Sequence, residues 1–296
     1  MKRIKIKSFA DVKKHTKKLG ILDLAEFFIL YESTNEELPR EKVIDKMRLV
    51  LDVMRQSVNN GLERKNITNS GMINGGAYLM NRFIQNKRPL LSDEFSEIIK
   101  NTLAVSEANA CMKKIVAAPT AGASGVIPGV IFQVSKKHNI SDDELIKALF
   151  VAGGIGEVIV SQASLAGAVH GCQAETGSAG AMTAAAVTYL FNNDIDAIES
   201  AAAFALKNVL GLVCDPIAGL VEVPCVKRNV SASINSIACA EMALSGIRTV
   251  IPFDEVVKAM AEIGNKMSET LRETSLGGLA ATDSAKKIAS SIKVIG

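Results

Sequence analysis

The sequence contains no tryptophan, and aromatic residues make up only 4% of its 296 residues. A surface that stacks nucleic-acid bases or sugar rings needs several aromatic side chains, so such a surface is not expected here. An excess of one charge is missing too, because the formal net charge is +3 and no long basic run is present. We therefore expect neither nucleic acid nor an anionic membrane surface as a partner.

A secretory signal is also missing, because no apolar segment follows the basic start MKRIKIKSFADVKKH. Two stretches without charge, 115–135 and 176–193, approach the length of a membrane span, but proline, glycine and small residues make them only weakly apolar. We predict that both are buried segments of a soluble cytoplasmic protein. In that compartment five cysteines are more typical of free thiols or metal ligands than of disulfides.

Helical periodicity dominates the chain, and the alternation of apolar and polar residues that is typical of strands is rare. Apolar residues recur at helical spacing over 41–60, and Gly61 is predicted to end that helix. The same spacing recurs over 253–263, where Gly264 is the predicted stop. The predicted fold class is all-α.

The composition changes along the chain without a convincing linker or internal repeat. We interpret 1–296 as one large helical domain with outer helices over about 1–113 and C-terminal helices over about 241–296. Between them, over about 114–240, charges become scarce and small residues multiply. This pattern indicates buried central helices that are rich in small residues, joined by loops rich in glycine and proline that carry the polar groups.

The five cysteines fall into two groups. Cys111 and Cys239 lie within helical runs, ANACMKKI and SIACAEMAL, and are interpreted as small buried apolar residues. Cys172, Cys214 and Cys225 instead lie beside turns or chain breakers, in HGCQAE, GLVCDPIAG and VEVPCVKRN. Metal-binding thiolates favour such places, because backbone N–H groups there can face the sulfur.

Three cysteines without a fourth do not make a closed structural zinc site. The sequence has no C-x-x-C pair, which also argues against a zinc ribbon or a thioredoxin-like centre. Three thiolates suit a four-iron cluster that keeps one iron open. Spacing alone leaves open the alternative that these cysteines are only buried packing residues.

Four separated blocks resemble, in the same order, the α chain of the bacterial iron–sulfur L-serine dehydratase. They are AAPTAGASGVIPGV (117–130), HGCQAETGSAGAM (170–182), CDPIAGLVEVPCVKRN (214–229) and LRETSLGGLAAT (271–282). The opening FADVKKHTKKLGILDLAEFFILYES is similar as well, so the resemblance extends over nearly the whole chain.

The resemblance implies that Cys172, Cys214 and Cys225 hold a 4Fe-4S cluster with one open iron. It implies the conversion of L-serine into pyruvate and ammonia, with the open iron as Lewis acid and without pyridoxal phosphate. It also implies a β subunit that supplies the general base. Single-chain relatives carry that part as a domain with a Ser-Ser-Ser-His stretch, and this sequence has no such stretch.

Five further residues are candidates within the matching blocks. His170 is a candidate for a proton carrier or an outer hydrogen bond to the cluster, the alternative being a buried histidine bonded to backbone. Ser124, Arg228 and Asn229 are candidates for binding the substrate, although Ser124 can equally be packing and Arg228 can simply hold its loop. Glu175 is either a hydrogen-bond acceptor behind the cluster or a helix-start residue.

Two alternative functions remain at this stage. One is a related cluster-dependent lyase that acts on L-cysteine or L-threonine. The other is a non-catalytic protein in which the cluster is a redox sensor or a structural element.

Overall fold

The computed structural model describes residues 3–86, 89–90 and 92–292. These residues form thirteen α-helices, and no β-strand occurs among them, which confirms the predicted all-α fold. In chain order the helices are α1 Phe9–Leu19, α2 Leu24–Asn35, α3 Arg40–Leu62, α4 Gly76–Asn86, α5 Asp93–Ala110, α6 Val126–His138, α7 Asp142–Val160, α8 Gly167–His170, α9 Ser178–Phe191, α10 Ile195–Lys207, α11 Cys225–Leu244, α12 Phe253–Lys266 and α13 Asp283–Ser291.

Helix α9 is the centre of the fold. It lies against α6, α7, α10 and α11, and its residues from Ser178 to Thr188 are all buried. Their small side chains allow these helices to pack closely around it. The hydroxyls of Thr183 and Thr188 donate to the carbonyl oxygens of Ala179 and Ala184 one turn earlier, at 2.7 and 2.8 Å, so these two buried hydroxyls are satisfied within the helix.

The two stretches without charge are buried over most of their length, but Ala117, Ala121 and the end of the second stretch from Phe191 are exposed. The second includes α9, and the first includes most of α6, of which Val126–Ile131 are buried. Among the described residues, no helix combines the length and apolarity needed to cross a bilayer.

The start of the chain is fixed to its C-terminal part. The Asp254 carboxylate, in the first turn of α12, accepts hydrogen bonds from the backbone N–H groups of Phe9 and Ala10, at 2.7 and 3.0 Å. These two N–H groups open α1, where no carbonyl of the same helix can reach them. A core cluster running from Ile6 to Met260 then joins the outer helices to the central ones.

Both predicted glycine stops were wrong. Helix α3 continues to Leu62 and α12 to Lys266, so Gly61 and Gly264 lie inside their helices. A Cβ atom on Gly61 would lie 2.8 Å from Cα of Ala104 and closer still to its carbonyl oxygen. A Cβ atom on Gly264 would lie 2.7 Å from the ring of His170. Glycine is required at both positions for close approach of a neighbour and not for helix termination.

Candidate metal centre

The three motif cysteines come from three separate segments. Cys172 follows the short helix α8 and directly precedes a π-helical turn, Gln173–Gly177. Cys214 lies in the connection that follows α10, and Cys225 is the first residue of α11. All three side chains are buried and none forms a disulfide.

The π turn fixes the backbone after Cys172. The buried side chain of Gln173 donates to the carbonyl of Met260 at 3.0 Å and accepts from the N–H of Gly211 at 2.9 Å. The hydroxyl of Thr176 lies 3.3 Å from the Cys172 sulfur and donates to the Cys172 carbonyl at 3.0 Å. Single π turns occur often at functional sites, because they shift side chains out of the ordinary helical register.

Cys214 is held by the segment that contains the block LRETSLGGLAAT. Its N–H donates to the carbonyl of Leu271 at 2.8 Å, and its carbonyl accepts from the N–H of Glu273 at 2.7 Å. On its other side lies Gly167, where a Cβ atom would be 3.0 Å from the Cys214 sulfur and 2.8 Å from Oε2 of Glu175. The sulfur and the Glu175 carboxylate therefore face the same glycine.

Arg228 holds both neighbours of Cys214. Its Nη1 donates to the carbonyl of Val213 at 2.8 Å, and its Nη2 lies 2.8 Å from Oδ1 of Asp215. The second contact is an ion pair without full hydrogen-bond geometry, since Oδ1 has no hydrogen-bond partner among the described residues. Arg228 lies one turn after Cys225, so a single guanidinium connects the segments of two motif cysteines.

Asn229 holds the turn around Ser124. Its amide oxygen accepts from the N–H of Gly125 at 3.1 Å, and its amide nitrogen donates to the carbonyls of Gly122 and Cys225 at 2.7 and 3.0 Å. The Asn229 side chain is thus bonded to backbone on both sides. The buried Ser124 hydroxyl has no hydrogen-bond partner within the described residues.

Glu175 lies between this turn and Cys214. A Cβ atom on Gly122 would be 3.4 Å from Oε1 of Glu175 and 3.6 Å from its Oε2, the oxygen that also faces Gly167. Burial raises the pKa of Glu175; the nearby Thr120 hydroxyl opposes this rise, and the charge of Glu273 adds to it. The Thr120 hydroxyl does not meet full hydrogen-bond geometry with any described group.

Burial raises the pKa of all three cysteine thiols. Cys172 and Glu175 raise the pKa of Cys214 further, and they also raise that of Cys225, to about 12, against the opposing effect of Arg228. The shared contact with Gly167 places the Cys214 sulfur and the Glu175 carboxylate in one environment. Buried thiols in such surroundings stay protonated and neutral unless a metal cation replaces their protons.

Within the described residues, no three His, Cys, Asp or Glu side chains are grouped closely enough to hold a single metal ion. The ligands of an iron–sulfur cluster bind different irons, so they need not converge on one point. Three buried thiols on three segments fit the donor set of such a cluster in this respect.

His170 is engaged through both ring nitrogens. Its Nδ1 accepts from the N–H of Ser164 at 3.2 Å, and its Nε2 lies 3.2 Å from Oδ1 of Asn265. With the proton assigned to Nε2, both contacts are hydrogen bonds. The ring therefore joins α8 to the end of α12.

Cys111 and Cys239 are separated in the chain from the motif cysteines. Cys239 is buried within α11, with its sulfur 3.5 Å from Nδ2 of Asn208, and Cys111 is half-buried at the end of α5.

The family model for the serine dehydratase alpha chain matches residues 8–280. The chain belongs to this family. The match includes all three motif cysteines and confirms the resemblance found in the sequence.

Named L-serine dehydratase proteins are similar to this chain. The chain is 42% identical to the L-serine dehydratase, alpha chain, of Peptoniphilus asaccharolyticus, covering 87% of this chain and 88% of that protein. It is 42% identical to the probable L-serine dehydratase, alpha chain, of Bacillus subtilis (strain 168), covering 92% and 90%. It is 35% identical to L-serine dehydratase 2 of Escherichia coli (strain K12), where it covers 92% of this chain but 61% of the longer relative.

Several residues at this site were not predicted as functional residues. Asp215 and Glu273 lie in blocks that were recognised, but their side chains carried no spacing signal of their own. Thr176 contacts Cys172, and Thr120 lies near Glu175, only once the chain has folded. The only available signal was their position within the blocks that carry the family resemblance.

Proposed function

We propose that this chain is the α subunit of an iron–sulfur L-serine dehydratase, a lyase that converts L-serine into pyruvate and ammonia. The observation that carries the proposal is the burial of Cys172, Cys214 and Cys225, all without disulfides, in a chain that matches the serine dehydratase alpha family over residues 8–280.

Cys172, Cys214 and Cys225 would hold a 4Fe-4S cluster. With three thiolate ligands, such a cluster supplies one iron without a protein ligand, which can serve as a Lewis acid for substrate oxygens. Cys225 is placed at the start of a 20-residue helix, where the exposed N–H groups and the helix dipole favour negative charge on its sulfur.

The remaining residues hold and shape this site. Arg228 binds the Val213 carbonyl and pairs with the Asp215 carboxylate, on either side of Cys214, and Asn229 fixes the turn that carries Ser124. The free hydroxyl of Ser124 can give a hydrogen bond to the substrate carboxylate, because it gives none to a described protein group. Glu175 can accept a hydrogen bond beside Cys214.

Elimination requires a base for the α-proton of serine while the β-hydroxyl leaves as water. The resulting enamine tautomerises to an imine, and hydrolysis then gives pyruvate and ammonia. His170 is a poor choice for the base, since both ring nitrogens are already hydrogen-bonded. We assign the base to a β subunit, in agreement with the alpha-chain names of the relatives.

The test is anaerobic reconstitution of the chain with iron and sulfide, followed by measurement of bound iron and of pyruvate formation with the β subunit present. Cys172→Ala, Cys214→Ala and Cys225→Ala should each lose the cluster absorption and the activity. The matched controls Cys111→Ala and Cys239→Ala should keep both. Full iron content in Cys214→Ala would contradict the ligand assignment.

The substrate is tested with the same preparation. L-serine should give pyruvate faster than L-threonine gives 2-oxobutyrate or L-cysteine gives sulfide. Preference for cysteine or threonine would identify a related lyase instead. A stable cluster without turnover of any of the three, with β present, would favour a redox or structural role.

A further inference from the structure

A cavity of about 450 Å³ lies at one end of the helix bundle, between the start of α5 and the last turns of α6, α9 and α11. Its lining residue Glu241 follows Cys225 by sixteen residues in α11, which is about 24 Å along the helix axis. The cavity is therefore separate from the candidate metal centre. A volume of this size suits a small molecule.

Each of the four helices contributes one residue to an inner layer of the cavity and another, four positions nearer the helix end, to an outer layer. The inner residues are Ile98, Gln133, Val187 and Ile237, and the outer residues are Glu94, Lys137, Phe191 and Glu241. The inner residues are buried except Ile237, which is half-buried, and the outer ones are exposed except Glu94, which is half-buried. An apolar interior with one amide thus lies behind a charged mouth.

The amide of the inner layer is the observation that points to a ligand. Gln133 is only 8% exposed, lines the cavity, and forms no side-chain hydrogen bond with a described group. Its neighbours along the cavity wall, Val134 and Val187, are buried apolar residues that cannot bond to it. A buried amide without a partner costs free energy, so the cavity favours a ligand that brings a hydrogen-bonding group to the inner layer.

The mouth of the cavity presents both signs of charge. Nζ of Lys137 lies 3.3 Å from Oε1 of Glu94, and an ammonium has further donors for a second carboxylate. The exposed carboxylate of Glu241 forms no ion pair with a described residue. Lys137 and Glu241 therefore match the carboxylate and the ammonium of an α-amino acid.

Aromatic side chains also line the cavity. The ring of His138 packs edge-on against that of Phe191, with ring centroids 4.8 Å apart, and Phe95 contributes a further ring. Aromatic rings contact one another favourably in edge-to-face and offset arrangements. This lining favours a ligand with an aromatic body.

We propose that this cavity is a binding site for an amino acid whose aromatic side chain carries a hydroxyl, with L-tyrosine as the probe. The hydroxyl bonds to the Gln133 amide, the carboxylate pairs with Lys137 and the ammonium pairs with Glu241. One helical turn, about 5.4 Å, separates the two layers, and a hydroxybenzyl group spans that distance. The inference does not depend on the proposed function, because the cavity shares no residue with the candidate metal centre.

The test is isothermal titration calorimetry of the full chain with L-tyrosine, L-phenylalanine and tyramine. L-tyrosine should bind with the highest affinity. L-phenylalanine should bind about tenfold more weakly, because it leaves the Gln133 amide without a partner. Tyramine should also bind more weakly, because it has no carboxylate for Lys137.

Gln133→Leu removes the amide and keeps a side chain of similar size. This variant should bind L-tyrosine about tenfold more weakly than the wild type does, while its affinity for L-phenylalanine should stay nearly unchanged. Gln56→Leu, at an exposed position of α3 outside the cavity, is the matched control and should bind both amino acids like the wild type. In the wild-type chain, L-tyrosine should slow amide hydrogen exchange over 133–138 and 237–244, a result that does not depend on any variant.

Three results would overturn the proposal. One is the absence of measurable binding of L-tyrosine to the wild-type chain. Another is equal affinity for L-tyrosine and L-phenylalanine in the wild type, or undiminished binding of L-tyrosine by Gln133→Leu. The last is protection from exchange over 172–177 or 214–225 in place of the cavity segments, which would put the amino acid at the metal centre.

Discussion

Oε2 of Glu222 accepts a hydrogen bond from the hydroxyl of Thr68 at 2.7 Å, across 154 residues of sequence. The Ser70 hydroxyl donates to the same oxygen at 2.6 Å. Thr68 and Ser70 lie between α3 and α4, whereas Glu222 lies three residues before Cys225. The first part of the chain thus holds the connection between two of the proposed cluster ligands.

We expect Glu222→Ala to loosen this connection, because two hydroxyl donors lose their acceptor. The free energy of unfolding should fall by about 1–3 kcal/mol, as for other buried hydrogen bonds to a charged group. Bound iron should be lost faster on exposure to a chelator. Glu222→Gln keeps an oxygen for both hydroxyls and should retain most of the stability and the iron. Equal iron loss in the two variants would show that the charge of Glu222, and not its hydrogen bonds, is what matters.

A second prediction concerns helix packing. Gly61→Ala should lower the free energy of unfolding by about 1–3 kcal/mol, because its Cβ atom would overlap the backbone of Ala104. Gly153, in the interior of α7, is the matched control, since a Cβ atom there meets nothing within 4 Å. Gly153→Ala should instead raise the free energy of unfolding by about 0.4–1 kcal/mol. Urea unfolding of the two variants measures both values, and stabilisation by both would contradict this account of Gly61.

These glycines show what the sequence could and could not reveal. Periodicity located the helix bodies, because the 3.6-residue repeat of apolar side chains is local information. The function of Gly61 and Gly264 depends on a neighbour distant in sequence, Ala104 or His170. A glycine that ends a helix and a glycine that admits a neighbour have the same local pattern.

The site residues also divide into those that the local sequence reveals and those whose role depends on distant neighbours. Cys172, Cys214 and Cys225 stood out because chain breakers and polar residues flank them, and the family blocks gave them a common chemistry. Their supports did not stand out: Gln173 connects Met260 with Gly211, and Glu222 connects with Thr68. Such contacts form only after the helices have packed. The π turn after Cys172 likewise has no sequence signature that periodicity can detect.

The third prediction concerns the stability of the metal-free protein against unfolding in acid. Burial raises the pKa of Asp23, but hydrogen bonds from Lys147 at 3.0 Å and Tyr189 at 2.9 Å outweigh it and hold the pKa below its ordinary value. The stabilisation from the carboxylate is therefore fully present above the unfolded pKa, about 3.9, and is lost as pH falls through the lower folded value.

Asp23→Asn removes this titration while keeping a side chain that can cap α2. The variant should be less stable than the wild type at pH 6, and the difference should shrink as pH falls below about 4. Urea unfolding at a series of pH values measures the difference. A difference that is constant with pH would show that the charge of Asp23 contributes no stability.

The fourth prediction separates the structural role of His170 from a chemical one. His170 Nε2 is paired with Oδ1 of Asn265, so His170→Ala and Asn265→Ala remove the same contact from opposite sides. His170→Ala also removes the hydrogen bond from the Ser164 N–H, so it should cost more stability than Asn265→Ala if the ring merely joins α8 to α12. Each should lower the free energy of unfolding by about 1–3 kcal/mol, and the double variant should cost less than the sum of the two.

The pyruvate formed per bound cluster, with the β subunit present, should then be equal in both single variants. If His170→Ala alone abolishes turnover at full cluster content while Asn265→Ala retains it, the imidazole takes part in proton transfer, and the base need not come from β.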